Sequence, residues 1–220
     1  MRGVGRVYTL SDRVVINIMG AIVVSRKVAS EQRRCAILQA ARAVFARQGY
    51  ANTVVDDIAA QAGIAKGTLY LYFPSKEAVY LAAVLEDARQ LDKDSRAAMS
   101  AAVSWQEKLG AYLRVRVEYF ERHQDFLRIY MTEFRGMCMQ GRPMAAELIH
   151  LVQEGEAQLA QVFAAASARG EIRAVDPELA ALTVSDLTRG LMERRLRNWG
   201  RPVGAEDAAF ALDALCRALG

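Results

Sequence analysis

The stretch TVVDDIAAQAGIAKGTLYLYFPSKEAV, from Thr53 to Val79, carries the strongest local structural signals of the chain. Thr53, followed three residues later by Asp56, forms a capping-box pattern that predicts the start of a short helix. Gly63 permits the left-handed backbone of a tight turn. A second short helix is predicted from Ala65 to Phe73, and Pro74 ends it. Two short helices joined by a glycine turn predict a helix-turn-helix.

The second of these helices has an unusually polar outer side for a short helix. Leu69 and Phe73, four residues apart, are predicted to face inward. The outward positions are Lys66, Thr68, Tyr70 and Tyr72. A helix that enters the major groove of DNA must protrude in this way. A helix-turn-helix also occurs in ordinary bundles, but an ordinary bundle helix does not need this outer face.

A longer helix is predicted before this stretch, capped by Ser30 and ended by Gly49. Its inward face is predicted from apolar residues spaced three and four apart, namely Ile37, Ala41, Val44 and Phe45. After Pro74, Ser75 is predicted to cap a fourth helix. The remaining chain shows amphipathic segments at about 76–98, 104–122, 124–138, 143–169, 177–199 and 205–219.

These segments predict an all-α fold of about nine helices, with a three-helix head followed by an antiparallel helical bundle. The predicted divisions are an N-terminal extension at 1–29, a helix-turn-helix domain at 30–75 and a ligand-binding and dimerisation domain at 76–220. Two hypotheses fit residues 1–29: translation begins at Met19, so that the preceding residues are a start-site artefact, or the extension is a flexible basic arm that reaches DNA. The apolar run from Val14 to Val24 is too short to span a bilayer.

The charge distribution favours a polyanionic partner for the N-terminal third. Residues 1–74 contain ten Lys or Arg and four Asp or Glu, whereas residues 75–220 contain nineteen and twenty-one. A basic segment of this kind is typical of nucleic-acid binding, although a solvated basic surface has the same composition.

The sequence shows no pattern of catalytic or metal-binding residues. GxSxG, HExxH and a glycine-rich phosphate loop are absent. Cys35, Cys138 and Cys216 lie far apart and are predicted to be buried thiols of a cytoplasmic protein. We therefore expect no enzyme activity, no cofactor, no metal site and no membrane partner.

The segment from Thr53 to Val79, preceded by AVFARQGY, resembles the TetR family of bacterial regulators. The elements DIA, AG, KGTLY, YF and SKE recur in register with that family. The resemblance implies DNA contacts by the second helix, the recognition helix and the start of the fourth helix, at Thr53, Ala65, Lys66, Gly67, Thr68, Tyr70, Tyr72 and Lys76. In particular, Tyr72 and Lys76 match positions that grip phosphates. Ala65 departs from the Ser or Thr that is common in the family, so a capping hydrogen bond is expected to be missing there.

The body offers weaker signals for an effector pocket and for pairing. Its middle helices carry an aromatic and methionine stripe that fits either a core or a pocket for an apolar molecule. The predicted pocket residues are Tyr112, Tyr119, Phe126, Tyr130, Phe134 and Met137. For an anionic group, Arg114, Arg116 and His123 are candidates that sequence spacing does not separate. The family resemblance implies a homodimer built from the last two helices, with Leu187, Leu191, Leu212 and Leu215 in the interface.

Taken together, these features predict a sequence-specific DNA-binding regulator that binds a near-palindromic operator as a homodimer. The first expectation is a repressor released by a small apolar or aromatic effector. The alternative is an activator, or a regulator without a small ligand. A helical enzyme is the alternative from another class, and retardation of the chain's own upstream DNA separates it from a regulator.

Overall fold

A computed structural model describes residues 10–131, 146–197 and 204–220 of the chain, with side chains from residue 27 onwards. All regular structure within these ranges is helical, as predicted. The helices are α1 (Leu10–Asn52), α2 (Val55–Gln61), α3 (Lys66–Tyr72), α4 (Lys76–Ala101), α5 (Trp105–Arg122), α6 (Gln124–Ile129), α7 (Ala146–Ala168), α8 (Pro177–Arg197) and α9 (Ala205–Leu219).

Helix α1 begins earlier than the sequence pattern predicted. Its first residue is Leu10, so Ser30 lies inside the helix and does not cap it, which corrects the predicted start. The predicted end is confirmed, because Gly49 breaks the helix with φ 77° and ψ 165°. Only glycine adopts this conformation without steric cost. Of the extension predicted at 1–29, residues 1–9 lie outside the described part of the chain, and residues 10–29 belong to α1.

The head is built around the predicted apolar face of α1. Ile37, Ala41, Val44 and Phe45 are all buried, and they pack against buried side chains of α2 and α3. Those partners are Ile58, Ala59, Leu69 and Phe73. Leu69 of α3 and Phe73 directly after it thus fix the inner side of this helix, and Gly67, Tyr70 and Leu71 remain exposed.

The turn between α2 and α3 has the geometry that its glycine predicted. Gly63 has φ +66°, and its N–H donates to the carbonyl of Ala60 at 3.1 Å. The next N–H, of Ile64, donates to the carbonyl of Ala59 at 3.0 Å. These two bonds satisfy carbonyls at the end of α2 and set the direction in which α3 leaves the turn.

Two local predictions at helix starts have different outcomes. The predicted capping box at Thr53 is wrong: Val54 precedes α2, without a side-chain cap, and the Thr53 hydroxyl donates to the carbonyl of Gly49 at 2.7 Å. The Ser75 cap is confirmed, since its hydroxyl accepts from the N–H of Ala78 at 3.1 Å.

Helix α5 is the centre of the body and contacts α4, α6, α7, α8 and α9. It begins with a reciprocal capping box, in which the Ser104 hydroxyl accepts from the N–H of Glu107 and the Glu107 carboxylate accepts from the N–H of Ser104. The backbone donors of Ser104 and Val103 hold the pKa of Glu107 below its usual value. Helices α7 and α8 pair with each other, and α9 packs on α5.

Within the described residues, no helix is long and apolar enough to cross a membrane. The same residues contain no group of three His, Cys, Asp or Glu side chains positioned for a metal ion. The prediction that the cysteines are buried is wrong for Cys35, which is exposed, and Cys216 is only half-buried. Cys138 lies outside the described residues.

Candidate functional site

The outer side of α3 is the candidate nucleic-acid interface. Ala65, Lys66, Gly67 and Tyr70 are exposed there, while Thr68 and Tyr72 are half-buried. Ala65 precedes the helix without a side-chain capping bond, as its residue type predicted. A Cβ added at Gly67 would meet no atom of the described chain within 4 Å, so the backbone at this point is open to a close approach from outside.

Lys66, the first residue of α3, forms an ion pair with α2. Its ammonium lies 3.0 Å from a carboxylate oxygen of Asp56, and both side chains are more than half exposed. The hydrogen bond and the charge of Asp56 raise the pKa of Lys66. Because exposed ion pairs contribute little free energy, a DNA phosphate can replace this partner at small cost.

Leu71 is a member of this surface that the sequence interpretation did not select. Its side chain is 84% exposed, compared with 45% for Tyr70. An exposed leucine on a short helix has no role in the fold of the head, and an apolar side chain in the major groove packs on thymine methyl groups. The signal was present in the sequence, since Leu71 lies on the opposite side of α3 from Leu69 and Phe73.

Two residues expected to touch DNA have other contacts in the structure. Thr53 is 1% exposed, so its side chain is a buried part of the head and is withdrawn from the interface. The ammonium of Lys76 donates to the carbonyls of Tyr50 and Thr53, each at 2.8 Å, and lies 4.4 Å from the centre of the Tyr50 ring. Lys76 therefore ties the start of α4 to the end of α1 in the DNA-free chain, and its role as a phosphate clamp stays a prediction.

The body contains a small cavity of about 50 Å³ between α5, α6, α7 and α8. Two of the predicted pocket residues, Tyr112 and Tyr130, line it together with Arg116. Tyr119 and Phe126 do not line this cavity; both are buried and border a separate cleft of about 770 Å³ beside α1 and α4. The other two predicted residues, Phe134 and Met137, lie outside the described residues.

A polar network joins the head to the body at that cleft. The Arg42 guanidinium of α1 pairs with Asp87 of α4 at 2.5 Å and with Glu86 at 2.7 Å. The Tyr119 hydroxyl of α5 donates to the other Asp87 oxygen at 3.1 Å. Burial raises the pKa of Asp87, and Arg42 and Tyr119 oppose this shift because they stabilise the carboxylate.

Aromatic rings connect this network to the cavity. Tyr119 lies edge-to-face with Phe126, whose ring is stacked on Phe120 and contacts Tyr130. Phe120 and Tyr130 line the cavity. Contiguous packing therefore extends from the cavity to the first helix of the head.

The last two helices carry exposed apolar residues, and of the four predicted for pairing only Leu187 is among them. Leu191 is buried, and Leu212 lies so close to Gly110 of α5 that an added Cβ there would be 3.0 Å from it. Leu215 is half-buried against the core, and Leu187 is 37% exposed. The most exposed apolar side chains of these helices are Leu179, Leu182 and Phe210.

Family models match most of the chain. Residues 37–83 match the model of the bacterial regulatory proteins of the tetR family, and residues 102–213 match the model of the tetracyclin repressor-like C-terminal domain. The HTH-type transcriptional regulator YerO of Bacillus subtilis is 31% identical over 104 residues, which cover 44% of this chain but only 34% of YerO. The regulator RutR of Escherichia coli K12 is 29% identical over 155 residues, which cover 70% of each protein.

Solved structures have the same fold over more than four fifths of the chain. The TetR family regulator PfmR from Thermus thermophilus has a TM-score of 0.70 at 25% identity, with 82% of this chain and 97% of PfmR covered. FadR from Bacillus subtilis, solved in complex with stearoyl-CoA, has a TM-score of 0.75 at 22% identity, with 84% and 99% covered. At this identity, the FadR likeness is evidence for the fold.

Proposed function

The chain belongs to the TetR family of DNA-binding transcriptional regulators, and from this premise we propose that it is a repressor released from its operator by a small molecule. The observation that carries the DNA-binding part is the outer side of α3, which exposes Lys66, Gly67, Tyr70 and Leu71. Lys66 supplies a charge for phosphate, and the other residues form a surface that fits the major groove.

The short length of α3 supports a homodimer. One seven-residue helix reads too few base pairs to select a site in a genome, whereas two heads about 34 to 36 Å apart read a near-palindrome. The exposed Leu179, Leu182 and Phe210 supply apolar surface for pairing through the last two helices. In our proposal the protein acts in the cytoplasm, where its operator DNA is located.

An apolar effector is supported by the aromatic cavity in the body and by the fold neighbours. FadR was solved with stearoyl-CoA, and KstR2 of Mycobacterium tuberculosis, with a TM-score of 0.69, is described as a ketosteroid regulator. In our proposal the effector enters the cavity and shifts α5, and the packing through Tyr119, Asp87 and Arg42 moves α1. The effector must bind more tightly to the geometry that does not fit DNA.

Operator binding is tested with the DNA upstream of the chain's own gene, by fluorescence anisotropy at a fixed salt concentration. Leu71→Ala is expected to weaken specific binding by about 1 to 3 kcal/mol, with little change in stability. Val103→Ala is the matched control, because Val103 is 87% exposed in the loop before α5. No binding by the wild type, or equal affinity of both variants, would contradict the proposed interface.

An activator is the second candidate. The activator FasR of Mycolicibacterium smegmatis is 31% identical over 108 residues, which cover 47% of this chain and 49% of FasR. A reporter fused to the bound upstream DNA separates the two: a repressor lowers expression when it is produced, and an activator raises it.

A further inference from the structure

Arg116 places a buried guanidinium nitrogen in the body without a matching acceptor. It lies on α5, with its guanidinium carbon 4.3 Å from the centre of the Tyr112 ring. Its Nε atom is buried, and no hydrogen-bond partner for it exists within the described part of the chain. An added Cβ at Gly155 of α7 would lie 3.6 Å from its Nη2, so the glycine leaves this nitrogen close to α7.

Two acidic groups of this region form ion pairs with other arginines. Asp92, whose Oδ1 also lies near Gly155, accepts from Arg96 at 2.6 Å through its other oxygen. At the rim of the cavity, Arg189 pairs with Asp186 at 2.8 Å. The buried Nε–H therefore lacks an acceptor among the described residues, which is costly for a buried donor. An anion in the cavity would remove that cost.

The rest of the lining determines what kind of anion fits. Around Arg116 the cavity walls include Tyr112, Phe120, Tyr130 and Met131, which offer apolar and aromatic surface. The free volume of about 50 Å³ accommodates a group the size of a carboxylate, not a whole drug-sized molecule. A larger ligand must therefore displace the aromatic side chains as its apolar part enters.

We propose that Arg116 binds the carboxylate of the effector, and that the effector is an apolar or aromatic monocarboxylate. This rests on the proposed function, in which the body binds a small effector. The Nε and Nη2 donors of one guanidinium edge match the two oxygens of a carboxylate, which is the strongest geometry for such a pair. Nε is closed to solvent in the structure, so this edge becomes available as the aromatic side chains are displaced. The apolar part of the effector then packs on the rings that lead to Tyr119.

The test compares acids with alcohols of the same skeleton. The probes are octanoate against 1-octanol and phenylacetate against 2-phenylethanol, titrated into the full chain by calorimetry. The variants are Arg116→Met, Arg116→Lys and the control Arg114→Met, which removes an exposed arginine from the same helix. The wild type and Arg114→Met are expected to bind at least one acid about tenfold more tightly than its alcohol. Arg116→Met should lose this preference, and Arg116→Lys should keep part of it.

Three results would overturn the inference. They are a carboxylate preference that survives Arg116→Met, equal binding of acids and alcohols by the wild type, and no binding of either acid at millimolar concentration. Thermal stability without ligand is measured separately. Arg116→Met is expected not to lower the melting temperature, and a clear decrease would mean that Arg116 stabilises the fold and would also overturn the inference. Operator binding by the ligand-free variants is measured in parallel. If the ligand-free wild type does not bind the operator, the proposed function is refuted. If the wild type binds the operator but shows no preference for acids, only the role of Arg116 is refuted.

Discussion

Lys76 offers the sharpest contrast between a structural and a DNA-contacting lysine. Its ammonium donates two bonds of 2.8 Å to backbone carbonyls and lies over the Tyr50 ring. Hydrogen bonds from charged groups contribute about 1.5 to 3 kcal/mol each, and a cation–π contact adds about 0.5 to 1 kcal/mol. Because Lys76 is only half-buried, we count the two hydrogen bonds alone, each at the lower end of its range, and expect Lys76→Met to destabilise the protein by about 3 kcal/mol.

For a chain of this size, that loss lowers the melting temperature by about 6 to 12 °C in differential scanning calorimetry. The salt dependence of operator binding gives the second measurement. Each phosphate contact contributes about 0.9 to the slope of log K against log salt concentration. Lys76→Met should leave this slope unchanged, even if misplacement of the head weakens binding.

Lys66→Met is the matched variant, because the Lys66 side chain is 53% exposed. Its melting temperature should stay nearly constant, and its salt slope should fall by about 0.9 per subunit. The reasoning is refuted if the two lysines exchange roles. In that case Lys76→Met would keep its melting temperature and reduce the salt slope, and Lys66→Met would lower the melting temperature.

Three further substitutions test other parts of the structure. Tyr119→Phe removes the hydrogen bond to the buried Asp87 carboxylate and should cost about 1.5 to 3 kcal/mol in urea unfolding at neutral pH. Since the hydrogen bond stabilises the ionised Asp87 carboxylate, the loss of unfolding free energy should become smaller as the pH falls through the raised pKa of Asp87. A loss that does not depend on pH would contradict this role of Tyr119. Phe210→Glu should give folded monomers in light scattering, because Phe210 is 74% exposed in the single chain; a stable dimer would exclude this face. Ser104→Ala should cost about 1 kcal/mol in urea unfolding, and no loss would show that the cap is dispensable.

The sequence predicted those features that depend on local spacing. The buried face of α1 followed from apolar residues such as Ile37 and Val44 at helical intervals, and the break at Gly49 followed from the backbone freedom of glycine. Ser75 was a correct cap because its partner, Ala78, is three residues away. In each case, the deciding contact lies within one or two turns of the chain.

Features that depend on distant partners escaped prediction. Lys76 matched a phosphate-binding position, but its bonds go to carbonyls 23 and 26 residues earlier. Spacing alone gave no reason to choose Arg116 over Arg114, since the difference lies in the surroundings that α7 and α8 provide.

The ion pair between Arg42 and Asp87 has a consequence for how such regulators can be recombined. Arg42 belongs to the helix that carries the head, whereas Asp87 and the Tyr119 that supports it belong to the body. A chimera that joins this head to a foreign body without a matching carboxylate would bury an arginine with nothing to neutralise it. A chimera of this head with an unrelated body should therefore keep Arg42, Asp87 and Tyr119 together. The boundary between the two modules is thus defined by a shared set of residues and not by one position in the sequence.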